Sequence, residues 1–97
     1  MSQRKRININ MAYVYIAKSV AGKIYIGISN NPDSRLVRHN AKQGSEFTKS
    51  GNFKIVFKEE YQTLAEARHR EVQIKKWRRE KKEMLIERYK KGIPTKI

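Results

Sequence analysis

The chain has 97 residues, with 23 Lys and Arg against 9 Asp and Glu, so its formal net charge is +14. This length supports one small domain, and this charge favours a polyanionic partner, of which nucleic acid is the first candidate. The absence of cysteine excludes thiolate zinc sites and disulfides. The apolar runs are far shorter than the roughly 20 residues of a membrane-spanning helix, so we expect no membrane partner. Because the chain also shows no signal region, we expect a cytoplasmic location.

Residues 1–11 are predicted to form a flexible basic N-terminal tail. They carry charge but no apolar signal region and no cleavage pattern. Strand-like sequence begins directly after them, so residues 12–91 are predicted to be the folded domain and residues 92–97 a C-terminal tail. We expect the N-terminal tail to add affinity for phosphates.

Two segments rich in β-branched and aromatic residues, 13–18 and 23–28, predict a β-hairpin. A three-residue loop, 20–22, connects them. Gly22 suits the last position of this loop, because a bulged turn of this length needs a residue in the left-handed conformation.

The alternation of side chains gives the predicted hairpin two different faces. In this register Tyr15 lies opposite Gly27, which makes Tyr15 and Tyr25 diagonal neighbours on one face. That face is either a second core surface or the floor of a site. The other face predicts a plain core, because its residues are all aliphatic: Val14, Ile16, Ile24, Ile26 and Ile28.

Residues 30–33 predict the start of a helix, with an Asn cap and Pro in the first turn. On this helix Arg35 and His39 share a face, because they are four positions apart. A loop over residues 44–52 then leads to a third predicted strand over residues 53–58.

Thr63 and Glu66 form the sequence signature of a capping box and predict the start of another helix. Glu71 lies on its apolar stripe, where a carboxylate is unfavourable unless it is paired or binds a cation. A final helix is predicted over residues 80–91. The apolar stripe around Glu71, on the helix that starts at Thr63, is predicted to be buried and consists of Leu64, Ala67 and Ile74. The simpler explanation for Glu71 is a salt bridge to a nearby basic residue: Arg68, Arg70 or Lys75.

Taken alone, the two tyrosines are better explained as packing residues and His39 as an exposed helix residue. The connection after the hairpin is short, however, so the helix carrying Arg35 and His39 must fold back near the strands. Tyrosine hydroxyls, guanidinium, imidazole and the carboxylate of Glu71 can then surround a phosphodiester. An arginine neutralises phosphoryl charge, a lone carboxylate can hold one divalent ion, and a tyrosine can orient or deprotonate a water.

These residues together resemble the GIY-YIG nuclease domain, over roughly residues 12–83. The chain is most similar to the URI-type group named UPF0213, through Arg-x-x-x-His-Asn, a Phe-Thr-Lys loop and Ala-x-x-Arg-Glu-x-x-Ile-Lys-Lys-Trp. The resemblance begins with two motifs, Tyr13-Val14-Tyr15 and Tyr25-Ile26-Gly27. It continues with three single residues that occur in the same order as in the family pattern: Arg35, His39 and Glu71.

The resemblance implies an α/β (α+β) fold, with a three-stranded antiparallel sheet flanked by helices, and magnesium-dependent cleavage of DNA. It implies that Tyr15 and Tyr25 are the active-site tyrosines and that Arg35 binds the scissile phosphate. His39 would assist, and Glu71 would hold Mg²⁺ or Mn²⁺. The chain departs from the family at Tyr13, where the first motif has glycine, and at Ile28, where some members have lysine. Which tyrosine activates the water therefore stays open.

We therefore predict a DNA endonuclease that acts as a monomer without a small-molecule cofactor. Single-stranded DNA is favoured over branched or duplex DNA, because an extended strand suits a small basic groove with aromatic residues for stacking. Trp77 either stacks on a base or packs against the core. The alternative is a DNA- or RNA-binding module without catalysis. The predicted substrate contacts are Thr48, Lys49, Lys75, Lys76, Trp77 and Arg78.

Overall fold

The computed structural model describes residues 11–34 and 52–97. Its three strands form one antiparallel sheet, with the first strand between the second and the third, and the helices over residues 64–75 and 79–91 pack against this sheet. This confirms the expected α+β fold with a three-stranded antiparallel sheet flanked by helices. The strands and helices are β1 (Ala12–Ser19), β2 (Ile24–Ser29), β3 (Phe53–Tyr61), α1 (Leu64–Lys75) and α2 (Arg79–Lys91).

The hairpin formed by β1 and β2 has the predicted register, with Tyr15 paired with Gly27. Ser19 closes the turn, since its amide donates to the carbonyl of Lys23 at 2.9 Å and its own carbonyl accepts from the amide of Gly22 at 2.9 Å. Gly22 has φ 92°, a left-handed conformation that glycine adopts without steric penalty. The three-residue loop is therefore confirmed.

The core lies between one face of the sheet and the two helices. The aliphatic face predicted for the hairpin supplies its floor, and the helices cover it. A fully buried side chain of this kind stabilises the fold by about 1.5–3 kcal/mol relative to an exposed one. The buried core residues are Ala12, Val14, Ile16, Ile26, Phe57, Ala67, Ile74, Leu85 and Ile86.

β3 and α1 differ from the sequence prediction. β3 continues past residue 58 to Tyr61, which pairs with Ala12, because the polar residue Glu59 has a buried partner on α1. Leu64 was wrongly assigned to the buried stripe and is 57% exposed, since contact with the core begins only at Ala67. The stripe pattern specifies a helix face, but it does not show where the helix first reaches the sheet.

The predicted helix ends are present. Thr63 Oγ1 accepts a hydrogen bond from the amide of Glu66 at 3.1 Å at the start of α1. Gly92 ends α2 with φ 73°, again in the left-handed region. Within the described residues, neither helix combines the length and the apolar sequence that crossing a membrane requires.

The start of α2 is attached to the hairpin turn. Arg79 Nη2 donates to the carbonyl of Gly22 at 2.6 Å, and Glu83 accepts from both Arg79 and Lys18. The hydrogen bond from Lys18 holds the pKa of the Glu83 carboxyl below its usual range. These contacts place the turn between the helices, residues 76–78, beside the hairpin turn.

Candidate active site

The sheet surface opposite the core carries Tyr13, Tyr15, Tyr25 and Gly27, and we name it the tyrosine face. The rings of Tyr15 and Tyr25 lie with their centroids 6.1 Å apart and their planes at 52°. Tyr15 is only 2% exposed, whereas Tyr25 is 42% exposed. One tyrosine of the pair is therefore buried, and the other is open to solvent.

Both rings lie directly over Gly27. A Cβ atom at this position would lie 2.9 Å from Tyr15 Oη and 3.1 Å from Tyr25 Cε2. Separations this short are sterically unfavourable, so a larger residue would push the rings away. Glycine at position 27 is thus explained by the close approach of the two tyrosines.

Gly27→Ala is expected to displace both rings and to destabilise the fold by about 1–3 kcal/mol, because the added methyl group overpacks the site. Thermal unfolding measures the stability, and NMR shifts of the two tyrosine rings measure the displacement. Gly92→Ala is the control: its left-handed φ of 73° predicts a loss of about 1–2 kcal/mol, but nothing lies within 4 Å. Unchanged ring shifts in Gly27→Ala would contradict the interpretation.

The helix that begins at Pro32 starts on the tyrosine face. Asp33 Oδ2 lies 3.5 Å from Lys58 Nζ. Lys58 pairs with Tyr15 across β1 and β3, and its Nζ lies 5.7 Å from the ring centroid of Tyr13, so it belongs to this face. The amide of Ser34 donates to the Asn31 side chain at 3.3 Å, which supplies the predicted Asn cap. The described part of this helix agrees with the expected return of the chain toward the strands.

Four of the predicted site residues fall outside the described residues. Two were predicted to act on the phosphate, Arg35 and His39, and two to contact substrate, Thr48 and Lys49. Their roles stay predictions.

Glu71 is a largely buried carboxylate on α1. Its side chain is 11% exposed, and Oε2 lies 3.2 Å from Nζ of Lys75, whose side chain is 54% exposed. The salt bridge expected as the simpler explanation therefore exists, with Lys75 as the partner. An exposed pair at this spacing contributes only about 0.3–0.5 kcal/mol. It does not by itself account for a carboxylate among core residues.

The geometry of α1 directs Glu71 away from β3. Ala67 and Ile74 face the sheet, and Arg70 forms an ion pair with Glu59 of β3 at 2.9 Å. Glu71 follows Arg70 by one residue, or about 100° around the helix axis. The two side chains therefore lie on opposite flanks of the helix face that Ala67 and Ile74 turn toward the sheet. Since β3 and β2 are at opposite edges of the sheet and α1 contacts both, the flank with Glu71 faces the β2 edge from the core side, whereas Tyr25 lies on the opposite face of β2.

A lone carboxylate of this kind fits a hard divalent cation. Within residues 11–34 and 52–97, no three His, Asp or Glu side chains are close enough to form a metal cage. Mg²⁺ keeps several bound waters and is commonly held by only one or two carboxylates. Glu71 is therefore compatible with Mg²⁺ or Mn²⁺.

The predicted substrate contacts around Trp77 lie in the turn between the helices. Lys76 and Arg78 are exposed there, whereas Trp77 is half-buried and packs against the core. Lys81 Nζ lies 4.3 Å from the Trp77 ring centroid, a cation–π distance. The core contact that the sequence left open is thus present, and base stacking by this ring stays a prediction.

Arg70 is the residue that sequence reasoning missed. It was considered only as a possible partner for Glu71, yet it is 7% exposed and pairs with Glu59. Its place on the buried face of α1 next to Ala67 and Ile74 was the available signal, because a buried charge requires a partner.

Comparison with known proteins gives a consistent result. Residues 11–84 match the family model described as GIY-YIG catalytic domain. The chain is 37% identical over 75 residues to UPF0213 protein SSP2268 of Staphylococcus saprophyticus, covering 76% of this chain and 92% of that protein. It is 39% identical to a UPF0213 protein of Staphylococcus aureus, with the same coverage. The solution NMR structure of UPF0213 protein BH0048 from Bacillus halodurans is similar with a TM-score of 0.53 and 31% identity, covering 79% of this chain and 83% of that one.

Proposed function

The chain belongs to the GIY-YIG catalytic domain family, in its UPF0213 group, and we propose that it is a divalent-metal-dependent DNA endonuclease. Family membership supports a nuclease-like function on a nucleic-acid substrate, and the net charge of +14 suits such a substrate. The observation that carries the proposal is the tyrosine pair held over Gly27. Glu71 lies on a helix packed against the core face of the same strands, so we propose that it approaches the tyrosine pair around the β2 edge of the sheet.

The proposed reaction is hydrolysis of a phosphodiester at the β2 edge of the tyrosine face. Tyr25 orients or deprotonates the attacking water, because it is the solvent-exposed member of the pair. Arg35 neutralises charge on the phosphoryl oxygens, and His39 assists proton transfer. Tyr15 holds the ring of Tyr25 in place from its buried position.

Glu71 would hold the divalent ion, whose chemistry, once bound, is to stabilise the charge on the leaving oxygen. Its carboxylate is largely buried, which leaves few competing waters and favours a bound cation over an empty site. Lys75, the present counter-ion, has an exposed side chain and can then contact a phosphate.

Single-stranded DNA is the favoured substrate. A strand at the tyrosine face meets the exposed ring of Tyr25, and stacking of bases on aromatic rings tolerates any sequence. The proposed contacts to this strand are Thr48, Lys49, Lys75, Lys76, Trp77 and Arg78. A monomeric state, a cytoplasmic location and the absence of a small-molecule cofactor remain predictions.

One observation favours a second candidate. The salt bridge between Lys75 and Glu71 supplies the carboxylate with a cation from the chain itself. A module that binds DNA or RNA without cutting it would retain this fold and this pair.

A panel of labelled single-stranded, duplex and branched DNAs and an RNA, incubated with Mg²⁺ or Mn²⁺, separates the two candidates. We expect cleavage of single-stranded DNA that stops when a chelator is added. Salt-sensitive binding to the same molecules, with no cleavage under either metal, would instead establish the binding module.

A further inference from the structure

Arg70 is a buried arginine at the centre of a hydrogen-bonded cluster. Its Nε donates to Glu59 Oε1 at 2.9 Å, and its Nη1 donates to Gln73 Oε1 at 2.9 Å. Nη2 donates to the carbonyl of Thr95 at 2.9 Å, and Nη1 also donates to the carbonyl of Ile97 at 3.3 Å. One side chain thus connects α1 to β3 and to the C-terminal segment.

Glu59, the carboxylate that pairs with Arg70, also accepts several hydrogen bonds. Besides Arg70, Glu59 Oε1 accepts from the Tyr61 hydroxyl at 2.8 Å, and Oε2 accepts from Thr95 Oγ1 at 3.0 Å. Burial raises the pKa of Tyr61 to about 12, and the hydrogen bond to Glu59 adds to the increase, so this hydroxyl remains a donor at neutral pH. A buried ion pair with its remaining donors and acceptors satisfied holds its two elements in one defined geometry.

This cluster opposes rotation of α1 about its own axis, a motion that apolar packing alone would restrain less. The residues that α1 buries against the core are Ala67 and Ile74, and apolar contacts are not directional. The charged hydrogen bonds of Arg70 are directional, so they oppose rotation of the helix about its axis. A rotation of about 20° would move a side-chain carboxylate by about 2 Å, given a helix radius of about 5–6 Å with side chains.

We propose that Arg70 is a positioning residue for Glu71. By fastening one flank of α1 to β3 and to residues 95–97, it sets the direction in which the next residue presents its carboxylate on the opposite flank. The role rests on the proposed nuclease function, in which Glu71 must meet the metal and the phosphate in a defined place. Loss of partners that orient a metal ligand typically lowers metal affinity or activity by about 10–100-fold.

The main test is the double variant Arg70→Met, Glu59→Leu. Replacing both members of a buried ion pair by apolar residues avoids an uncompensated charge, so the fold is expected to survive. Below its melting temperature, we expect this variant to bind Mn²⁺ about 10-fold more weakly, measured by the EPR signal of free Mn²⁺. We also expect kcat for DNA cleavage to fall by about 10–100-fold with KM unchanged.

A milder pair of variants controls for stability. Thr95→Val removes one donor to Glu59, and Ile86→Val removes one methyl group from the core on α2, away from the cluster. Both are expected to lower the melting temperature slightly. Only Thr95→Val is expected to weaken Mn²⁺ binding.

The position of Glu71 is also measured without metal or DNA, from the ¹³C NMR resonance of its carboxyl group. We expect this resonance to shift in the double variant and not in Ile86→Val. An unchanged Glu71 resonance in the folded double variant overturns the positioning role, even in a protein that cleaves nothing. If the resonance shifts in the double variant but the wild-type protein neither binds Mn²⁺ nor cleaves DNA, the positioning role is supported and the nuclease function is refuted instead.

Discussion

Glu71→Gln is expected to eliminate metal-dependent DNA cleavage, lowering kcat by at least about 1,000-fold. Glutamine keeps the shape of the side chain but removes the charge that holds a divalent ion, and the ion contributes several kcal/mol of transition-state stabilisation. Among the described residues Glu71 belongs to no group of three or more side chains that could hold a metal ion in its absence. The measurement is the cleavage rate of labelled DNA with Mg²⁺.

The fold and the affinity for DNA are expected to survive this change. Glu71→Gln gives up an ion pair whose other member, Lys75, has an exposed side chain that water can solvate, and a neutral amide is easier to bury than a carboxylate. Fluorescence anisotropy in the presence of a chelator measures DNA binding, and thermal unfolding measures stability. A loss of rate with both quantities retained assigns the effect to the chemical step.

Glu66→Gln is the matched control, because Glu66 is an exposed acid on the same helix. It is expected to cleave at close to the wild-type rate. Equal cleavage by the wild type and Glu71→Gln would refute the assignment of Glu71 as the metal ligand.

Tyr25→Phe is expected to lower kcat by about 100–10,000-fold while leaving the melting temperature nearly unchanged. The hydroxyl is proposed to orient or deprotonate the attacking water, and loss of a positioned acid or base has an effect of this size. Because Tyr25 is 42% exposed, we expect removal of its hydroxyl to have little effect on the stability of the fold. Single-turnover cleavage and thermal unfolding measure the two effects separately.

Tyr15→Phe is expected to give a different pattern. Tyr15 is 2% exposed, and loss of a buried hydroxyl destabilises a fold by about 1–3 kcal/mol when its partner is left unsatisfied. We therefore expect a lower melting temperature together with a slower rate. A larger loss of rate in Tyr25→Phe, at unchanged stability, than in Tyr15→Phe would assign proton handling to Tyr25.

Tyr89→Phe is the control for both substitutions. Tyr89 is 41% exposed, and its ring contacts Phe57 on the core side of the sheet, away from the tyrosine face. It should leave cleavage unaffected. A wild-type rate in Tyr25→Phe would exclude Tyr25 as the residue that activates the water.

Much of the tyrosine face could be predicted from sequence because the interactions that form it are local. Gly22 and a three-residue loop specify the register of the hairpin, and the register places Tyr15 opposite Gly27. Strand alternation then determines that Tyr25 shares the face of Tyr15. What could not be predicted is that one ring of the pair is buried and the other exposed.

The environment of Glu71 was predictable only in part. Its place among apolar residues of α1 indicated a buried carboxylate, and that is confirmed. The sequence left three basic residues as possible partners of Glu71, and only the structure distinguishes them: Lys75 pairs with Glu71, while Arg70 pairs with Glu59. The extension of β3 to Tyr61 was missed for the same reason, since Glu59 looks like a surface residue until its partner is known.

The sequence by itself determined the hairpin, its tyrosine face and the helix stripe that carries Glu71, because each depends on turn chemistry and side-chain periodicity within about ten residues. Only the tertiary structure decided which buried charges pair and which flank of α1 faces the β2 edge. Apart from Gln73 on the same helix, the partners of Arg70 lie on β3 and in the C-terminal segment, up to 27 positions away in the chain. Such pairing depends on the folded arrangement of the elements, and no local pattern encodes it.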